Sequence, residues 1–96
     1  MLFMVIERFR NRDAGAVYRR FAERGRLAPE GLTYVNSWVE VNFDRCFQIV
    51  ECDDLRLLQQ WIINWQDLVE IELVPVCTSR DAAETAGPRP SPQRDA

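Results

Sequence analysis

The chain has 96 residues, 47% of them hydrophobic, with twelve Arg, fifteen acidic residues, no Lys, no His and a net charge of −3. This length supports one small folded domain, and its acidic balance makes nucleic acid a poor partner because phosphate backbones repel it. Without His or Lys, imidazole ligation of haem, His general-base catalysis and Schiff-base chemistry are excluded.

The first ten residues open with an apolar run, Met1 to Ile6, closed by Glu7 and Arg8. That run is too short and wrongly flanked for a signal peptide or a membrane span, so no membrane association is expected, and a cytoplasmic location is. Residues 2–9 read as a strand. Leu2, Met4 and Ile6 point one way while Phe3, Val5 and Phe9 point the other, so both faces need cover. Asn11 or Asp13 can cap a helix running to about Arg24, with Ala14, Val17 and Phe21 as its apolar stripe; Gly25 stops it, and Pro29 and Gly31 punctuate the connection.

Residues 32–41 are rich in β-branched and aromatic side chains. Strict alternation puts Tyr34, Asn36, Trp38 and Glu40 on one side, and Val35, Ser37, Val39 and Val41 on the other. A turn at Asn42 to Arg45 leads into a return strand, Cys46 to Glu51, which makes a hairpin. Asp53 and Asp54 then supply the N-terminal carboxylates of a second helix. Leu55, Leu58, Ile62 and Trp65 share one face of it, flanked by Leu57 and Trp61. In the last strand Val69, Ile71 and Leu73 alternate with outward Glu70 and Glu72, and Pro75 marks an edge position.

From Thr78 to Ala96 there is no bulky apolar side chain, so residues 78–96 are expected to form a disordered, polar, Pro-rich tail behind a domain spanning 1–77. Cys46 and Cys52, on one strand and roughly 20 Å apart at about 3.3 Å per residue, cannot pair. No C-x-x-C occurs, so neither a metal nor a redox pair is expected, and nothing in the chain calls for a cofactor.

Two strand-helix-strand units joined by a hairpin define an α+β class. The expected architecture is the ferredoxin-like βαββαβ arrangement, a four-stranded antiparallel sheet with two helices on one face. The other face would expose an apolar patch, which two copies can bury by packing sheet against sheet. A homodimer closed as a dimeric α/β barrel is therefore expected. Charge is uneven: residues 1–26 carry seven Arg against three acids, and residues 27–77 two Arg against nine. An anion site on the first helix, around Arg20 and Arg24, pairing between protomers, and a solvated face of interleaved charges all fit that layout.

The run Ser37-Trp38-Val39-Glu40, then Arg45 through Asp54, then Trp61 and Trp65, and finally Asp67 through Val76 ending in Val-Pro-Val, resembles small bacterial proteins grouped as domain of unknown function 3303. The resemblance covers about residues 1 to 80. It implies the dimeric α/β-barrel superfamily, whose members include cofactor-free monooxygenases, haem-degrading enzymes and lactone isomerases, with pockets between sheet and helices. The family itself has no established activity.

Six residues are candidates for binding a ligand. Tyr34, Asn36 and Trp38 place an amide between two aromatic rings on one strand face, a set able to orient a planar phenolic or quinone-like molecule. Glu51 follows Phe47 and Ile49 on one face and is an acid-base candidate if it enters apolar surroundings. Trp61 and Trp65, one helical turn apart, can line a cavity or simply fill the core. Two readings follow: a homodimer binding a small hydrophobic or aromatic metabolite, with a monooxygenase-like or isomerase-like enzyme as its catalytic form, or a noncatalytic interaction or regulatory module. A shaped cavity favours the first and a filled helix-sheet interface the second.

Overall fold

The structure, a computed structural model, describes residues 1–88. Strand β1 (Leu2–Phe9) leads through a short 3-10 turn (Arg10–Arg12) into helix α1 (Ala14–Arg24). Then come the hairpin strands β2 (Thr33–Val39) and β3 (Arg45–Glu51), helix α2 (Leu55–Ile63), strand β4 (Val69–Val76) and a third helix, α3 (Ser79–Ala86). The strands form one antiparallel sheet in the order β2-β3-β1-β4, the order of the ferredoxin-like βαββαβ fold. Strand β4 pairs with β1 alone, so Pro75 lies on an edge strand, where its missing N–H disturbs no second neighbour.

Local chemistry sets the helix ends. The Asp13 carboxylate accepts from the Ala16 amide at 3.1 Å and caps α1, while the Gly25 amide closes on the Phe21 carbonyl with φ at 73°, a conformation glycine adopts freely. Asp54 caps α2 by accepting from the Arg56 amide at 3.0 Å. The buried face of α2 departs from the expected row Leu55, Leu58, Ile62 and Trp65, taking in Trp61 and leaving out Leu55. Leu58, Trp61 and Trp65 are the buried set, with Trp65 contributed from the turn after Ile63, whereas Leu55, the first residue of the helix, is 58% exposed.

The core fills the layer between helices and sheet. Phe3, Val5 and Phe9 of β1, Cys46 and Val50 of β3 and Val69 of β4 meet Ala14 and Val17 of α1 and Leu58, Trp61 and Trp65 below α2. On the opposite face Leu2, Met4, Ile6, Phe47, Ile49, Val74 and Val76 are only half-buried, and no element of the described residues covers them.

The expectation of a structureless tail from residue 78 is corrected over Ser79–Ala86, which form α3. The Thr78 hydroxyl accepts from the Asp81 amide at 3.1 Å, and Arg80 and Glu84 pair one turn apart. Every residue of α3 is exposed, so local propensity and capping build it without the apolar burial on which the sequence argument rested. Residues 89–96 of that expected tail lie outside the described residues.

Three of the N-terminal arginines pair with acids of the 27–77 region of the same chain. Arg8 bonds Asp44 at 3.0 Å, Arg10 reaches Glu70, and Arg20 takes Asp67 in a two-pronged contact at 2.7 and 2.6 Å. Arg20 thus ties α1 to the turn before β4. Three of the seven N-terminal arginines thus pair within the chain, and Arg20, half of the Arg20–Arg24 candidate, is engaged with Asp67.

Candidate functional site

The connection between α1 and β2 builds the roof of a cavity. Leu27 holds φ at 59°, a left-handed conformation that costs a bulky residue energy and persists only where the surroundings fix it. The fixing groups come from α2 and the turn after it. The indole N–H groups of Trp61 and Trp65 both donate to the Arg26 carbonyl, at 3.1 and 2.8 Å, and the Asn64 amide donates to the Leu27 carbonyl at 3.0 Å. Clamped this way, Arg26 sends its side chain across to the sheet. Its guanidinium stacks 3.6 Å from the centre of the Tyr34 ring and 5.2 Å from that of Phe21.

The guanidinium Nη1 donates to the Gln48 side-chain oxygen at 2.9 Å, and the Gln48 amide nitrogen donates to Oε1 of Glu7. Gln48 and Glu7 are diagonal neighbours on the helix-facing side of β3 and β1, since Val5 pairs with Gln48 and Glu7 with Cys46. Both side chains are only 6% exposed and they are the buried polar residues of the domain. A buried carboxyl joined through one amide to a guanidinium is a satisfied polar network in an otherwise apolar layer.

These groups border a cavity of about 210 Å³. Its floor is Glu7 and Phe9 of β1, Cys46 and Gln48 of β3, Ser37 and Val39 of β2 and Ile71 of β4; Val17, Tyr18 and Phe21 of α1, Arg26 and the two indoles close it above. Burial raises the Glu7 carboxyl above the ordinary carboxylate value, against the opposing pull of the Gln48 bond and the Arg26 charge. Burial likewise pushes the Cys46 thiol up to about 12, with Glu7 adding to the effect, so this thiol is protonated and unreactive at neutral pH. The Tyr18 phenol is also raised, by burial first and then by Cys46 and Glu7.

The six sequence-derived candidates are not one constellation. Trp61 and Trp65 line the cavity. Tyr34 stands over Arg26 and its hydroxyl bonds that of Ser37 at 2.7 Å. Asn36 and Trp38 are on the other face of the sheet, paired with Ile49 and Phe47, and Trp38 is 55% exposed there. Glu51 ends β3 on that same open face, exposed. The cause is a β-bulge between Tyr34 and Asn36. One extra residue, Val35, resets the alternation, so that Tyr34, Ser37 and Val39 face the helices and Asn36 and Trp38 turn away. Accordingly, Asn36→Leu is expected to leave the affinity of any cavity ligand within about twofold, a difference of roughly 0.4 kcal/mol; titration of wild type and variant with one small aromatic compound checks this.

Glu7, Gln48 and Arg26 went unselected in the sequence, although two of them carry a legible signal. Glu7 interrupts the inward series Phe3, Val5, Phe9, and Gln48 interrupts Cys46 and Val50. A polar residue on an apolar strand face has to find a partner, and these two find each other. The cysteines at 46, 52 and 77 are free, and no group of three or more metal-ligating side chains occurs among the described residues. No helix among them is long and apolar enough to cross a membrane.

Sheet order, helix placement and a cavity between the layers define a ferredoxin-like α+β domain. The chain belongs to the family described as a domain of unknown function (DUF3303), whose sequence model matches residues 1–89. No match is found among curated proteins or among solved structures.

Proposed function

We propose that this domain binds a small hydrophobic or aromatic metabolite in the cavity between sheet and helices, and that it does so as a cytoplasmic homodimer joined through the open sheet face. The cavity carries this reading: its walls are largely apolar, and one edge holds the buried Glu7 and Gln48 with the half-buried Arg26 as the polar anchor that orients a ligand. Since an apolar cavity of roughly 150 Å³ already admits benzene, about 210 Å³ suits a substituted ring or a compact bicycle. A noncatalytic interaction module would gain stability by filling that space with side chains.

The half-buried row Leu2, Met4, Ile6, Phe47 and Ile49, extended by Trp38, supports the dimer, because a second sheet laid on it would remove a continuous apolar strip from water. Closed this way, the pair would be a dimeric α/β barrel. Native mass spectrometry of freshly purified protein tests both parts. The expected spectrum is a dimer carrying a retained small molecule, which is lost in Val39→Trp, where a large ring is added at the cavity wall. A ligand-free monomer that also fails to take up small aromatic compounds would end this reading.

A further inference from the structure

We propose that Glu7 is the proton-transfer group of the cavity and that its substrates are small enolisable carbonyl compounds. The Glu7 carboxylate would take a proton from the carbon beside the carbonyl, with Arg26 meeting the charge that moves onto oxygen. This assignment rests on the cavity being a ligand site.

Three observations lead to it. Oε1 of Glu7 is occupied by Gln48, whereas its second oxygen has no hydrogen-bond donor among the described residues. No buried side-chain oxygen or nitrogen among the described residues lacks a partner, so that second oxygen is not sealed in protein and opens on the cavity that Glu7 lines. Second, Gln48 holds the carboxyl and the guanidinium apart by the width of one amide. A planar C–C=O unit lying beside that amide spans the same pair, its acidic C–H toward Glu7 and its oxygen toward Arg26. Gln48 is the one hydrogen-bond acceptor of the Arg26 side chain among the described residues, which leaves other guanidinium N–H groups for a ligand.

Third, no other group facing this carboxyl can do the work. Arg26 from the α1–β2 connection offers donors and no acceptor, Cys46 from β3 holds its proton to about 12, and the Tyr18 phenol from α1 is raised. Strand β4 presents Ile71, α2 and its following turn present two indoles, and β2 presents Ser37 and Val39 at the cavity, with Tyr34 behind Arg26. Glu7, raised above the ordinary carboxylate value, is both a stronger base than an exposed glutamate and able to return the proton.

The step is balanced without a cofactor. The C–H bond breaks and its electron pair forms C=C, the carbonyl π pair moves to oxygen, and the proton rests on Glu7. Returning the same proton to the same carbon restores the substrate; once the proton on Glu7 has been replaced by deuterium from solvent, return to that carbon gives exchange, and return to a conjugated carbon gives isomerisation.

The test uses 2-indanone in D₂O with the full chain, following loss of its CH₂ signal by proton NMR, with the Trp61 and Trp65 indole resonances reporting binding. Wild type is expected to accelerate exchange at least tenfold over buffer, with a rate that rises with pH and levels off once Glu7 is ionised. Glu7→Gln is expected to keep the indole shifts and lose the acceleration. Indole shifts without acceleration, an active Glu7→Gln protein, or a wild-type rate that merely follows hydroxide would overturn the assignment while leaving the cavity reading intact. Absence of indole shifts with 2-indanone, acetophenone and indole alike would overturn both.

Discussion

Trp65→Ala is expected to cost roughly 3–5 kcal/mol, the range for deleting a large buried ring, and to lower the melting temperature by about 4–8 °C per kcal/mol for a domain of this size. The ring is 6% exposed, packs beneath α2, and its indole N–H holds the Arg26 carbonyl. Arg20 also lies 5.6 Å from the ring centre while it grips Asp67, so the same side chain is walled in by the stitch between α1 and the turn before β4. Total stability for a chain this long is about 5–14 kcal/mol, so the loss is a large share of the whole. Trp65→Phe separates packing from hydrogen bonding. It keeps most of the ring and removes one donor from a carbonyl that Trp61 still satisfies, so about 1–2 kcal/mol is expected. Chemical denaturation of the three proteins measures both differences. A loss under 1 kcal/mol for the alanine variant would show that the rings do not hold the roof of the cavity.

The fold was legible because its signals are local and repeat. Alternation in Leu2–Phe9, capping aspartates at 13 and 54, the stop at Gly25 and an edge proline at 75 each name one element, and their order leaves few topologies. The site was less legible for two physical reasons. A single bulged residue at Val35 reverses the facing of everything after it, and a period of two carries no mark of where such an insertion falls. The Glu7–Gln48–Arg26 chain joins residues 41 and 22 positions apart, so no spacing rule links them. What the sequence did offer was the odd polar residue on each inward strand face. Helix α3 shows the converse case, in which absence of apolar residues rules out burial but leaves local helix formation open.

Glu7 gives the domain an uncommon pH dependence on the alkaline side. In the unfolded chain its carboxyl titrates near 4.5, and folding raises that value, chiefly by burial. Below 4.5 both states are protonated and Glu7 imposes no penalty. As pH rises from there through the folded value, the unfolded chain has released its proton while the folded chain retains it, so stability falls. Each tenfold difference between the two proton affinities amounts to about 1.4 kcal/mol. Glu40, Asp54 and Asp67 act in the opposite sense: hydrogen bonds from Arg45, Arg56 and Arg20 lower their carboxyls, so the stability these pairs contribute is lost as pH falls through their folded values. Together the two trends place the stability maximum between the folded-state titrations of these three carboxyls and that of Glu7. Glu7→Gln keeps the shape and still accepts the Gln48 bond without a titrating proton. It is expected to flatten the alkaline limb, leave the acid limb in place, and melt higher than wild type on the alkaline side. Melting curves of both proteins from pH 3 to pH 9 test this directly. Parallel alkaline limbs would mean that the Glu7 carboxyl is ionised at no cost in the folded domain, and the cavity would then hold an ordinary carboxylate in place of a tuned one.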